Sequence, residues 1–170
     1  MTTADADHDE LDIRTRSLKE RIYATFTGLA ILAAVVAGGH AAAWDAFLTV
    51  LVGVFGISLA GFVAEAVAYQ VGHKKLPDRA ELGVMGKIAL TALGSASVPL
   101  IVLALSGFGL LDVDLALRLG MALYAVTLVG IFLVAAHRSG LSALQKLVSS
   151  AMFVGVAGLV VGVLLVAHLH

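Results

Sequence analysis

Three side chains able to bind or carry a cation recur one helical turn apart in a single apolar stretch: Glu65, Tyr69 and His73. A spacing of four places them on one face of a helix, and Ser58 and Gly61 extend that face. The segment before them, Ala46 to Ala64, holds no charged residue. On a helix that starts at Asp45, Glu65 lies about 30 Å along the axis, in the inner third of a bilayer. An acid there has two readings. As a functional group it is a cation or proton site, because charged side chains inside a membrane are costly and line polar paths or face the bundle interior. As a structural group it is an interfacial glutamate, hydrated from the cytoplasmic side or bonded to Tyr69. Glu65 and His73 are the metal-ligand candidates of this stretch. The sequence offers Glu65 no second intramembrane carboxylate with which to share a metal.

The elements that must position these groups are apolar runs. The chain has 170 residues, 60% hydrophobic and 14% charged, against about 25% charged in an average soluble domain. Charge-free runs cover Ile22 to Trp44, Ala46 to Ala64, Ile88 to Leu111, Leu119 to Ala136 and Leu147 to Leu169. Each has roughly the 17–25 residues needed to cross a hydrocarbon core of about 30 Å. None carries the polar stripe of a water-facing helix, and none alternates like a barrel strand. The expected fold is all-α: a polytopic membrane protein of five transmembrane helices at about 20–37, 45–72, 83–107, 113–137 and 142–169. Residues 1–19 form a cytoplasmic tail, acidic and then basic, which does not fit a secretory signal.

Ten of the eleven basic residues (Arg14, Arg16, Lys19, Arg21, Lys74, Lys75, Arg79, Lys87, Arg138 and Lys146) fall on one side of these runs, and Arg118 is the exception. The positive-inside rule puts that side, and the N-terminus, in the cytoplasm and the C-terminus outside. A multi-pass protein of a bacterial-type inner membrane is the expected location.

Local signals refine the layout. Ser17 with Glu20 has the capping-box pattern, which marks a helix start or lies inside a longer helix. Pro77-Asp78-Arg79-Ala80-Glu81 reads as a helix start. Ser142 with Gln145 repeats the capping pattern. Asp112 and Asp114 suit the start of the fourth helix, in which Tyr124 and Thr127 are expected to bond across to another helix. In the third, Pro99 should kink the helix near Ser95. With Ser95 and Ser97, this is either part of a permeation path or a packing kink. The last run carries Gly155, Gly158 and Gly162, and Gly158-Leu159-Val160-Val161-Gly162 is a GxxxG face for close helix packing within the chain or between copies.

Several chemistries are excluded. With no cysteine, disulfides, thiolate catalysis and Cys-based metal sites do not arise. No phosphate-binding glycine loop with Lys, no HExxH and no intramembrane Lys is present. An enzyme, a cofactor and a nucleic-acid partner are not expected. The partners expected are the lipid bilayer and further copies of the chain, a dimer among the options.

Gly56-Ile57-Ser58-Leu59-Ala60 followed by Glu65, and Ala92-Leu93-Gly94-Ser95 through Pro99-Leu100, resemble the second- and third-helix segments of the vacuolar iron transporter family. The glycine-bearing last helix is similar as well. The resemblance covers helices 2 to 5. It implies a five-helix, dimeric membrane fold that exchanges divalent metal for protons. The chain departs from that family where Tyr23-Ala24-Thr25-Phe26-Thr27-Gly28 stands in place of the helix-1 Asp-Gly motif, and where His73 to Glu81 replaces the Glu-rich cytoplasmic segment. The function expected is passage of a cation, divalent metal or proton, using Glu65. The alternative is a non-transporting scaffold or accessory subunit that works through its glycine faces.

Overall fold

A computed structural model describes residues 3–39 and 42–138 together with Ser142, Leu144, Gln145, Val148 and Gly155. Among them the chain is all-α. Five helices follow in order: α1 (Thr3–Ala37), α2 (Ala43–His73), α3 (Arg79–Gly94), α4 (Ser97–Gly107) and α5 (Val113–Arg138). Leu11–Ala37, Ala43–His73 and Val113–His137 are each long and apolar enough to cross a membrane. Helices α3 and α4 meet the same test as one span bent by 50°. The span expected over 142–169 lies outside the described residues, apart from the five positions named above.

The polar segment expected as a tail is helical from Thr3, so α1 is 35 residues long, about 52 Å. Some of its polar side chains bond within the helix. Arg16 pairs with Asp12 one turn back at 2.6 Å, and the Thr15 hydroxyl donates to the Leu11 carbonyl at 2.8 Å. Ser17 and Glu20 therefore lie inside a longer helix. Helices α3 and α5 are capped by short acids, whereas α2 and α4 start without a side-chain cap. Asp78 Oδ1 accepts from the N–H groups of Ala80 and Glu81, each at 2.9 Å, and Asp112 Oδ1 from that of Leu115 at 3.1 Å. The Ser142 N–H donates to Gln145 Oε1 at 3.0 Å. Helix α2 closes on Lys74, which takes a left-handed conformation at φ 52°.

The break between α3 and α4 falls at Ser95 and Ala96. Helix α4 begins at Ser97, so Pro99 occupies its first turn, where no intrahelical partner waits for a backbone N–H. The groups freed by the break are met locally. Ser95 Oγ donates to the Ala92 carbonyl at 2.6 Å and Ser97 Oγ to that of Gly94 at 2.7 Å.

Helix α1 packs on α2, α3 and α5, while α2 also touches α3 and α4, and α4 packs on α5. The bend thus carries the third span from α1 to α5 without leaving α2. Ala24, Leu32, Val50, Val54, Ala92, Leu103 and Tyr124 form the shared core. At one end Trp44 meets Phe47 and Phe108 edge to face, with ring centroids 5.5 and 5.1 Å apart. Outside the core the large side chains are also apolar: Val52, Phe55, Leu59, Val63, Val67 and Val71 along α2, and Val126, Val129 and Leu133 along α5, are all exposed.

Tyr124, expected to bond across to another helix, is fully buried over Gly28 of α1. Its hydroxyl has no hydrogen-bond partner among the described residues. Thr127 bonds its own helix at the Leu123 carbonyl. A Cβ at Gly28 would lie 2.5 Å from the ring, so the absence of a side chain there sets the α1–α5 distance. Gly28→Ala is expected to destabilise the protein by about 1–3 kcal/mol through overpacking, measured by unfolding in detergent. Gly56→Ala, at a position facing open space, is the control. Equal losses from the two would contradict this packing.

Candidate functional site

Helix α2 buries a straight row, Val50, Val54 and Ser58, and the row continues one turn at a time towards its C-terminal end. Glu65 stands on that continuation, mostly buried. Its partner is Arg16 of α1: Nη1 to Oε1 is 2.8 Å. Tyr69 is not its partner. Because Arg16 also holds Asp12, one guanidinium links two carboxylates. Its planar fork is suited to two such bonds at once.

The same contact brings in a second buried acid, overlooked when the sequence is read alone. Glu20, one turn beyond Arg16 on α1, is 5% exposed. Its carboxylate lies directly against Gly61, where any Cβ would overlap it. The charges that act on it are its neighbour Lys19 and then Glu65 across the contact. The two acids line a crevice closed by Gly61, Phe62 and, from α3, Met85, Ile88 and Ala89. That crevice leaves no room for a water molecule. Among the described residues no hydrogen bond reaches the Glu20 carboxylate. Burying a charge in this way is expensive unless it is paired or neutralised. A signal for Glu20 was present in the four-residue spacing of Asp12, Arg16 and Glu20, which is a helix face continuing into the apolar run.

The other predicted positions are placed around this contact. Tyr69 and His73 follow Glu65 on α2 and stack on each other, with centroids 4.2 Å apart and planes 19° from parallel. His73 is exposed and its Nδ1 is 3.2 Å from the Tyr69 carbonyl. Lys75 Nζ sits 5.9 Å over the Tyr69 ring. Ser58 is buried two turns from Glu65 in the opposite direction, and its hydroxyl has no partner among the described residues. Ser95 is tied to α1, where the hydroxyl of fully buried Thr25 approaches its Oγ at 3.1 Å. Thr25 is a further residue that sequence reasoning passed over. Ser97 is exposed. Gly155 is exposed with nothing within 4 Å of an added Cβ. Gly158 and Gly162 lie outside the described residues.

Glu65 and His73 are therefore not gathered into one coordination sphere: the first is engaged by Arg16 and the second stacks on Tyr69. Among the described residues no group of three His, Asp or Glu side chains could hold a metal ion. What the arrangement brings together is two acids on facing helices, one of them held by an arginine. Comparison of the chain with protein-family models, with curated proteins and with solved structures finds no match.

The Arg16–Glu65 pair should be measurable as coupling. Its side chains are 36% and 16% exposed, so solvent screens it in part, and a double-mutant cycle of Arg16→Gln and Glu65→Gln should return about 1 kcal/mol. Strict additivity of the two substitutions would contradict the pairing.

Proposed function

We propose that this is a multi-pass integral membrane protein that passes a cation through the carboxylate site between α1 and α2. Membrane residence is supported by three apolar helices and a bent fourth span, whose outward side chains are Val, Leu, Ile and Phe. Contiguous apolar surface of this extent is not tolerated in water. The basic residues set the N-terminus in the cytoplasm by the positive-inside rule, in a bacterial-type inner membrane. The remaining apolar run at 142–169 is a fifth span in this reading, and its glycines join copies of the chain.

The observation that carries the transport reading is Glu20. It is an acid buried without a hydrogen bond among the described residues, beside Glu65 and its arginine. Acids in such positions are kept for a task more often than for stability. The cation is a proton or a divalent metal. The resemblance to vacuolar iron transporters favours the same pair of ions. Glu20 provides an acid on α1 where that family's Asp-Gly motif is lacking.

One further observation favours the scaffold reading. Gly56, Ala60, Ala64, Ala68 and Gly72 repeat every fourth residue on α2 and all are exposed, a row that permits close approach of another helix. Ala60→Leu and Ala64→Leu separate the two readings: a scaffold loses its assembly on a native gel, whereas a transporter whose site faces α1 keeps its flux.

The deciding experiment is ion flux in proteoliposomes holding folded, inserted protein. Wild type should pass protons or Mn²⁺, and Glu20→Gln and Glu65→Gln should each reduce that flux to background. Wild type that passes none of H⁺, Na⁺, K⁺, Fe²⁺ and Mn²⁺ would overturn the transport reading.

A further inference from the structure

We infer that Arg16 is a tethered counter-cation that keeps metal ions out of the α1–α2 carboxylate site and leaves it to protons. The inference rests on the transport reading above and names its substrate. A metal at Glu65 needs oxygen lone pairs that are free to coordinate. Glu65 Oε1 and Asp12 Oδ2 are instead both engaged by one guanidinium, at 2.8 and 2.6 Å. That guanidinium is always charged in proteins. Being part of α1, it also competes at a high effective concentration that no free ion matches. One oxygen of each of these two carboxylates is thus already occupied by a fixed cation.

Space points the same way. Divalent cations such as Mg²⁺ and Ca²⁺ take six or more oxygen ligands, several of them water. The crevice between Glu20 and Glu65 admits no water. On its far side α3 offers Met85, Ile88 and Ala89, none of them a hard ligand. The ionisable groups facing the contact are Asp12, Arg16, Glu20 and Lys19 from α1 and Glu65 from α2, and α3 adds none. A proton needs no space and no coordination sphere. Arg16 holds Glu65 through Nη1 and Asp12 through Nη2, so loss of the first bond leaves the second intact. The arginine therefore stays in place, and the next exchange starts from the same geometry.

The test is Mn²⁺ binding, followed by the electron paramagnetic resonance signal of free Mn²⁺, on full-length protein. Proton flux is measured in parallel with and without Mn²⁺. Wild type should bind no Mn²⁺ at this site, and Mn²⁺ should leave its proton flux unchanged. Arg16→Gln should gain affinity by roughly tenfold or more. The gain should vanish in Arg16→Gln/Glu65→Gln and should not occur in Arg16→Lys, which keeps the charge. Mn²⁺ binding by wild type that Glu65→Gln removes, competition of Mn²⁺ with proton flux, or an Arg16→Gln protein as silent as wild type would each overturn the inference. If Arg16→Gln does not fold, the two wild-type measurements decide alone. Wild type without any flux would instead count against the transport reading, since the binding arm does not depend on flux.

Discussion

A glycine at position 61 and an arginine at position 16 make the α1–α2 contact possible. Without a side chain at Gly61 the Glu20 carboxylate has somewhere to lie. Without Arg16, Glu65 would face Glu20 with no ion pair of its own. Coulomb energies between charges a few ångströms apart rise steeply as the effective dielectric falls, so the pairing of one cation with two of the three acids governs how closely α1 and α2 can pack. Other features follow from that approach. Ile31 and Leu32 of α1 fill the spaces over Gly53 of α2 and Gly120 of α5, and Thr25 reaches Ser95 at the point where the third span breaks.

The break has a structural cause and a topological effect. Pro99 stands in the first turn of α4, and the Ser95 and Ser97 hydroxyls take up carbonyls at the end of α3. The bend moves the upper half of the span from α1 onto α5, so one span contributes to two faces of the bundle. The polar atoms at the break bond to Thr25 of α1 and to their own backbone. That bonding fits a packing kink better than a stretch of permeation path.

Much of this was legible in the sequence. Apolar length identified α2, α5, the α3–α4 pair and the apolar part of α1, and short acids identified the starts of α3 and α5, because capping is a local event between neighbours in the chain. The proline and its serines located the bend for the same reason. The site was half legible. Glu65 stood out because it interrupts a charge-free run. Glu20 and Arg16 did not, because they sit in a run of alternating charges that reads as the solvated end of a helix. Only the register of α1 against α2 shows which of those charges turn inwards, and register is set by tertiary packing at Gly53 and Gly61. Tyr124 shows the same limit: its hydroxyl promised a cross-helix bond, and the space above Gly28 was filled by its ring instead.

Glu20 is withdrawn from water in the folded protein. The most direct measurement is the rate at which a water-soluble carbodiimide with an amine nucleophile modifies each carboxylate in reconstituted vesicles, mapped by mass spectrometry. Exposed Asp78 should react readily, while Glu20 should stay unmodified until the protein is denatured. Modification of Glu20 as fast as that of Asp78 would contradict the buried carboxylate site and the function proposed from it.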